Sequence, residues 1–118
     1  MSENYTKGVK RLLKYSKEES VRLSNAYVGS EHLLLAVIKD VGGDACKILT
    51  TIGCDLDKIK QQIEKEVSSN VTTSTSISHL PLTRRLERIL KKSYVLANKD
   101  GLLAANQNYL LLSLSNEK

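Results

Sequence analysis

The sequence contains no tryptophan, no phenylalanine and a single proline, Pro81. A core without the two largest apolar rings must be built from Leu, Ile, Val and Ala, side chains that interlock well between helices. One proline and six glycines supply too little turn chemistry for a fold of many short strands. The two cysteines, Cys46 and Cys54, are too few for a disulfide framework and read as buried free thiols. No apolar run exceeds the six residues Leu33 to Ile38, against the roughly 20 that a membrane-spanning helix needs. The N-terminus, Met1-Ser2-Glu3-Asn4, lacks the apolar stretch of a secretory signal, so a cytoplasmic location is expected and no membrane partner. What remains is a chain of 118 residues, 41% hydrophobic and 26% charged, an ordinary composition sized for one domain with one core. The expected fold class is all-α.

Apolar periodicity locates the helices. Val9, Leu12, Leu13 and Leu23, with Ser16 and Ser20 between them, follow a 3.6-residue period, and Thr6 can cap a helix from about Lys7 to Ser24. Ser30 is the next N-cap candidate, with Glu31 in the first turn of a helix that runs to about Asp40 and is apolar on most sides. Gly42-Gly43 ends it. Ala45, Ile48, Leu49 and Ile52 mark a third helix that stops at Gly53. Asp55 caps a fourth, which turns Leu56, Ile59, Ile63 and Val67 inward. From Ser68 to Pro81 eight of fourteen residues are Ser or Thr and no period runs through, the signature of a linker. Thr83 then caps a helix with Leu86, Ile89, Leu90, Ser93 and Ala97 inward, and a last helix covers about Gln107 to Ser115.

The second half repeats the first. A shift of 77 residues sets Tyr5–Ile38 on Leu82–Ser115 without a gap. Thr6 falls on Thr83, Arg11 on Arg88, Leu13 on Leu90, Lys14 on Lys91 and Ser16 on Ser93, and Leu33-Leu34-Leu35 falls on Leu110-Leu111-Leu112. An N-cap, basic positions and a leucine triplet agreeing in one register indicate a duplication. The second copy lacks counterparts of the third and fourth helices, so the chain is expected to be a fragment of something longer. Leu110, Leu111, Leu112 and Leu114 are then expected to form an exposed apolar patch.

The stretch Ser16 to Leu23, followed by Tyr27-Val28-Gly29-Ser30-Glu31-His32-Leu33-Leu34-Leu35-Ala36-Val37-Ile38, resembles the Clp repeat. Gly43, Ala45, Leu49 to Gly53 and Asp55 to Lys58 continue the match, and Thr83-Arg84 resembles the opening of a second repeat. The resemblance covers nearly the whole chain. It implies a duplicated four-helix Clp repeat with pseudo-twofold symmetry: repeat 1 over residues 1–67, a Ser/Thr-rich linker over 68–81 and a truncated repeat 2 of two helices over 82–118. It further implies the N-terminal domain of a Clp-type AAA+ unfoldase, most like the ClpC branch, which receives substrate or adaptor proteins above an ATPase ring feeding a ClpP-like peptidase. This chain has no G-x-x-x-x-G-K-[ST] loop, so ATP and Mg²⁺ would act in downstream modules and no cofactor is expected here.

The candidate substrate- or adaptor-binding residues are Glu31, Thr6 and Ser30. Glu31 can pair with a guanidinium beside helix-start N–H groups able to hold a phosphate, and Thr6 would add a hydroxyl. In ClpC relatives the Glu of this motif, once per repeat, helps hold arginine-phosphorylated substrates. Here Asn108 stands at the second position, so a symmetric two-site version is not expected. His32 reads as a structural histidine packed between helices, and no metal site is expected. No Ser-His-Asp set, phosphate loop or carboxylate pair suggests catalysis. The charge of +5 and the recurrent Lys7, Lys10, Arg11, Lys14 and Arg84, Arg85, Arg88, Lys91, Lys92 would suit nucleic acid, but Glu18 and Glu19 share the first helix and few aromatics interleave. A solvated face, or one that meets acidic adaptors, fits better. The rival readings are a free-standing Clp-repeat adaptor without an ATPase and a small basic nucleic-acid-binding protein.

Overall fold

A threonine side chain opens each of the two longest helices. Thr6 Oγ1 accepts from the Val9 amide at the start of α1 (Lys7–Arg22), and Thr83 Oγ1 accepts from the Leu86 amide at the start of α5 (Arg84–Lys99). Between them lie α2 (Ser30–Lys39), α3 (Asp44–Thr51) and α4 (Leu56–Val67), and α6 (Gln107–Asn116) comes last. The computed structural model describes residues 4–67 and 80–116. Most of the expected Ser/Thr-rich linker, residues 68–79, therefore lies outside the described residues. Among the described residues there is no β-strand, only two isolated parallel bridges.

Those two bridges reveal the symmetry. Tyr5 pairs with Ala105 and Val28 pairs with Leu82, and a shift of 77 residues turns one pair into the other with the partners exchanged. The hydrogen bonds follow: Thr6 N–H donates to Ala105 O at 3.0 Å and Thr83 N–H to Val28 O at 2.9 Å. Ala105 N–H donates to Asn4 O and Val28 N–H to Pro81 O, both at 2.8 Å. Exchange of partners under one shift is what a pseudo-twofold axis requires, so the duplication is visible in the backbone as well as the sequence.

The core is made of pairs related by that axis. Val9 and Leu86, Leu12 and Ile89, Leu33 and Leu110, and Val28 and Ala105 are all almost completely removed from water. They join α1, α2, α5 and α6 into one central bundle. Small polar residues let the helices approach: Ser16 and Ser93, both buried, return their hydroxyls to the Leu12 and Leu90 carbonyls of their own helices. Ser113 Oγ donates across to Ile89 O at 2.7 Å, tying α6 to α5. Beneath α4 a second cluster gathers Leu23, Leu35, Ile63 and Val67.

Several expectations change in detail. Helix α1 ends at Arg22 because Ser24 turns into the left-handed region, at φ 59°, which sends the chain back towards α2. The N-cap of α2 is Gly29 rather than Ser30: the Val28–Leu82 bridge holds the chain extended up to Gly29, whose carbonyl already accepts from His32 and Leu33. Leu80, assigned to the linker by composition, is buried in the central core. Cys46 is buried but Cys54 only half-buried, and both are free thiols. The exposed leucine patch shrinks to one residue. Leu110 is buried, Leu111 and Leu114 pack against the core and Leu112 alone stays exposed, because Leu110 faces the shared bundle and α3 packs onto α6.

Candidate docking site

A concavity of about 680 Å³ lies between α1 and α5 where the pseudo-twofold axis passes. Leu13, Leu82 and Leu90 line it, and the axis relates Leu13 to Leu90 and Leu82 to Tyr5. Tyr5 meets Tyr94 with ring centroids 6.4 Å apart and planes tilted by 58°, an edge-inclined pair that walls one side. Burial, and secondarily Tyr94, push the Tyr5 hydroxyl above its ordinary range. Lys10, Lys91 and Glu87, all exposed, add charge to the lining. An apolar trough with a few charged groups around it is the usual chemistry of a protein-fragment or small-ligand site. Leu13 and Leu90 were both expected on inner helix faces; Leu13 is instead half-buried and open to this trough. Tyr5, Leu82 and Tyr94 were not foreseen as site residues. The available signal was the paired apolar residue directly before each threonine cap.

Of the three residues expected to act together, Ser30 and Glu31 adjoin at the start of α2, and Thr6 lines a depression with Asn106 and Gln107. Gly29, at the start of α2, lies against Thr83: a Cβ at Gly29 would fall 3.5 Å from the Thr83 methyl and 2.8 Å from Glu31 Oε1. Thr6 sits across the axis with Asn106 and Gln107, in a smaller depression of about 330 Å³. Ser30 Oγ donates to Glu31 Oε1 at 3.3 Å. At the related start of α6, Asn106 Oδ1 accepts from the Asn108 and Tyr109 amides, whereas at α2 the N-cap is Gly29 and His32 Nδ1 accepts from its amide. Among the described residues no group of His, Cys, Asp and Glu is placed to hold a metal ion, and no helix is long and apolar enough to cross a membrane.

The duplicated, all-helical architecture agrees with what comparison finds. Residues 4–118 match the family model of the Clp repeat (R) N-terminal domain. The chain belongs to this family. The chaperone protein ClpB of Oceanobacillus iheyensis is 30% identical over 117 residues, 99% of this chain and 14% of that protein. The negative regulator of genetic competence ClpC/MecB of Bacillus subtilis is 36% identical over 73 residues, 62% of this chain and 9% of that protein. The chain therefore spans a small part of these relatives. The N-terminal domain of the chaperone ClpD from Arabidopsis thaliana shares the fold at a TM-score of 0.78 and 15% identity, over 98% of this chain and 78% of that one.

Within this Clp N-terminal domain, the residue that most sharply separates the halves is Gln107. It stands where the axis places Ser30, yet it is buried and binds three ways. Its Oε1 accepts from the Ala45 amide at 3.0 Å, and its Nε2 donates to Gly8 O at 3.1 Å and Asp40 Oδ2 at 3.0 Å. Asp40 also receives a forked contact from Arg11, Nε to Oδ1 at 3.0 Å and Nη2 to Oδ2 at 3.1 Å. Burial alone would raise the Asp40 carboxyl; the Arg11 and Gln107 hydrogen bonds and the Arg11 charge outweigh it and hold the group below its ordinary value. One side chain thus joins α1, the end of α2, α3 and α6. Gln107→Ala strands a buried amide and part of a buried carboxylate, and should cost about 2–4 kcal/mol in urea unfolding. A cost under about 0.5 kcal/mol would show that water replaces the side chain freely.

Proposed function

We propose that this chain is the docking domain through which a Clp-type ATP-dependent chaperone or protease subunit receives substrate or adaptor proteins. The observation that carries the reading is the apolar groove on the pseudo-twofold axis, lined by Leu13, Leu82, Leu90, Tyr5 and Tyr94. Its work is binding, with ATP and Mg²⁺ acting in modules other than this one and a ClpP-like peptidase engaged through the assembled ring. A cytoplasmic setting belongs to the same proposal. Capture by a groove open to solvent must be reversible if cargo is to be passed on, so micromolar affinity is expected.

The test is a titration of the domain with an unfolded protein or an adaptor, followed by fluorescence anisotropy. Saturable binding in the micromolar range is expected. Leu82→Ser and Tyr94→Ala change half-buried lining residues and should each weaken it by about tenfold while helical circular dichroism stays unchanged. A folded domain that binds none of these proteins, or variants that bind as well as the parent, would refute the proposal.

A further inference from the structure

We infer that the groove takes an apolar segment carrying opposite charges at its two ends, acidic at one and basic at the other. The inference rests on the docking reading above and concerns what the groove selects. A groove bisected by a twofold axis offers equal surroundings at equal distances on either side of that axis. Part of the apolar lining keeps this equivalence: Leu13 is matched by Leu90 and Tyr5 by Leu82, while Tyr94 corresponds to Lys17, outside the lining. The charges do not. Lys10 and Glu87 occupy equivalent positions, both line the groove and both are exposed, yet their signs are opposite. A segment lying across the axis therefore meets an ammonium group on one side and a carboxylate on the other.

Neither group is engaged elsewhere among the described residues. Among the described residues, Lys10, Glu87 and the neighbouring lining residue Lys91 enter no side-chain hydrogen bond and no ion pair, in contrast to Arg11, Arg22 and Lys39 on the same domain. Their charges are available to an occupant. Apolar contacts on the leucines and tyrosines supply the affinity, and complementary ends supply the selection, because like charges set against each other disfavour a wrong partner.

Three fluorescent peptides sharing one apolar middle of Leu and Val test this: one with Asp at one end and Lys at the other, one with Asp at both and one with Lys at both. In anisotropy titrations at about 50 mM salt, the mixed peptide should bind roughly fivefold tighter than the doubly basic one and more tightly than the doubly acidic one. Glu87→Lys makes both sides positive and should make the doubly acidic peptide the best ligand. Lys10→Gln should remove the advantage of the mixed peptide over the doubly basic one. Both substitutions lie on the exposed surface, so either alone decides the matter if the other fails to fold. Binding of all three peptides within twofold of one another, or an order unchanged in Glu87→Lys, overturns the selection while leaving the groove a docking site. No saturable binding by any peptide or by an unfolded protein overturns the docking reading and this inference with it.

Discussion

His32→Ala should cost the domain about 3–4 kcal/mol, and the parent protein should lose stability on mild acidification in a way that His32→Gln does not. The imidazole is fully buried and ties the start of α2 to the turn that follows α1. Its Nδ1 accepts from the Gly29 amide at 2.9 Å, which fixes the proton on Nε2, and Nε2 donates to Asn25 Oδ1 at 2.7 Å. Asn25 Nδ2 donates onward to Val67 O, the last residue of α4, at 2.9 Å. Truncation to alanine leaves a cavity and strands the Gly29 amide and the Asn25 carbonyl, and the two losses together give the stated cost. Chemical denaturation at pH 7.5 measures it; a cost below about 1 kcal/mol would mean that the chain from Gly29 to Val67 closes by another route.

The pH dependence has a definite sign. Burial lowers the His32 pKa from its ordinary 6.5, against smaller opposing effects of Glu31 and Glu19. The unfolded chain therefore takes up the proton first as pH falls, so stability is full above about pH 6.5 and declines below it, towards the lowered pKa. Protonated Nδ1 would also set an N–H against the Gly29 N–H. Asp40 acts in a separate, lower window. Its pKa lies below the ordinary 3.8, so its contribution is present above that value and is lost as pH falls through the lowered one. Urea midpoints from pH 8 to 5 should fall for the parent and stay level for His32→Gln; parallel curves would assign the acid sensitivity to other groups.

The two halves show which parts of such a fold a sequence discloses. Helix positions follow from the 3.6-residue period, and the inner face of α5, Leu86, Ile89, Leu90, Ser93 and Ala97, is buried as the period indicates. His32 was legible as a packed histidine because only one other histidine, His79, exists to share a site with it. Which residue neighbours which across the axis was not legible. The bridges at Val28–Leu82 and Tyr5–Ala105 exchange partners between repeats, setting Gly29 against Thr83, and no local pattern encodes that exchange. The role of Gln107 is hidden for a related reason. At a helix start it looks like solvent-facing filler, and only the arrival of Asp40, Gly8 and Ala45 from three other segments makes it a buried hub.

The leucine triplets make the same point quantitatively. Leu35→Ala should cost about 3 kcal/mol, whereas Leu112→Ala, at the equivalent place in an identical triplet, should cost less than about 1 kcal/mol. Leu35 is 2% exposed, enclosed by Leu23, Ile63 and Val67 where α4 crosses α2. Leu112 is 48% exposed, and Asp100 stands where the axis would place Leu23. Removing three carbons from the first site opens a cavity; removing them from the second exposes little that water does not already reach. The neighbouring pair supplies the control. Leu33 and Leu110, also equivalent, are both buried in the shared bundle, so their alanine variants should each lose about 3 kcal/mol. Equal costs at 33 and 110 beside unequal costs at 35 and 112 would show that the axis governs the central bundle and stops at the face α4 covers. Equal costs at 35 and 112 would mean that Leu112 is covered in solution, and a lower cost for the variant on dilution would identify a second copy as the cover.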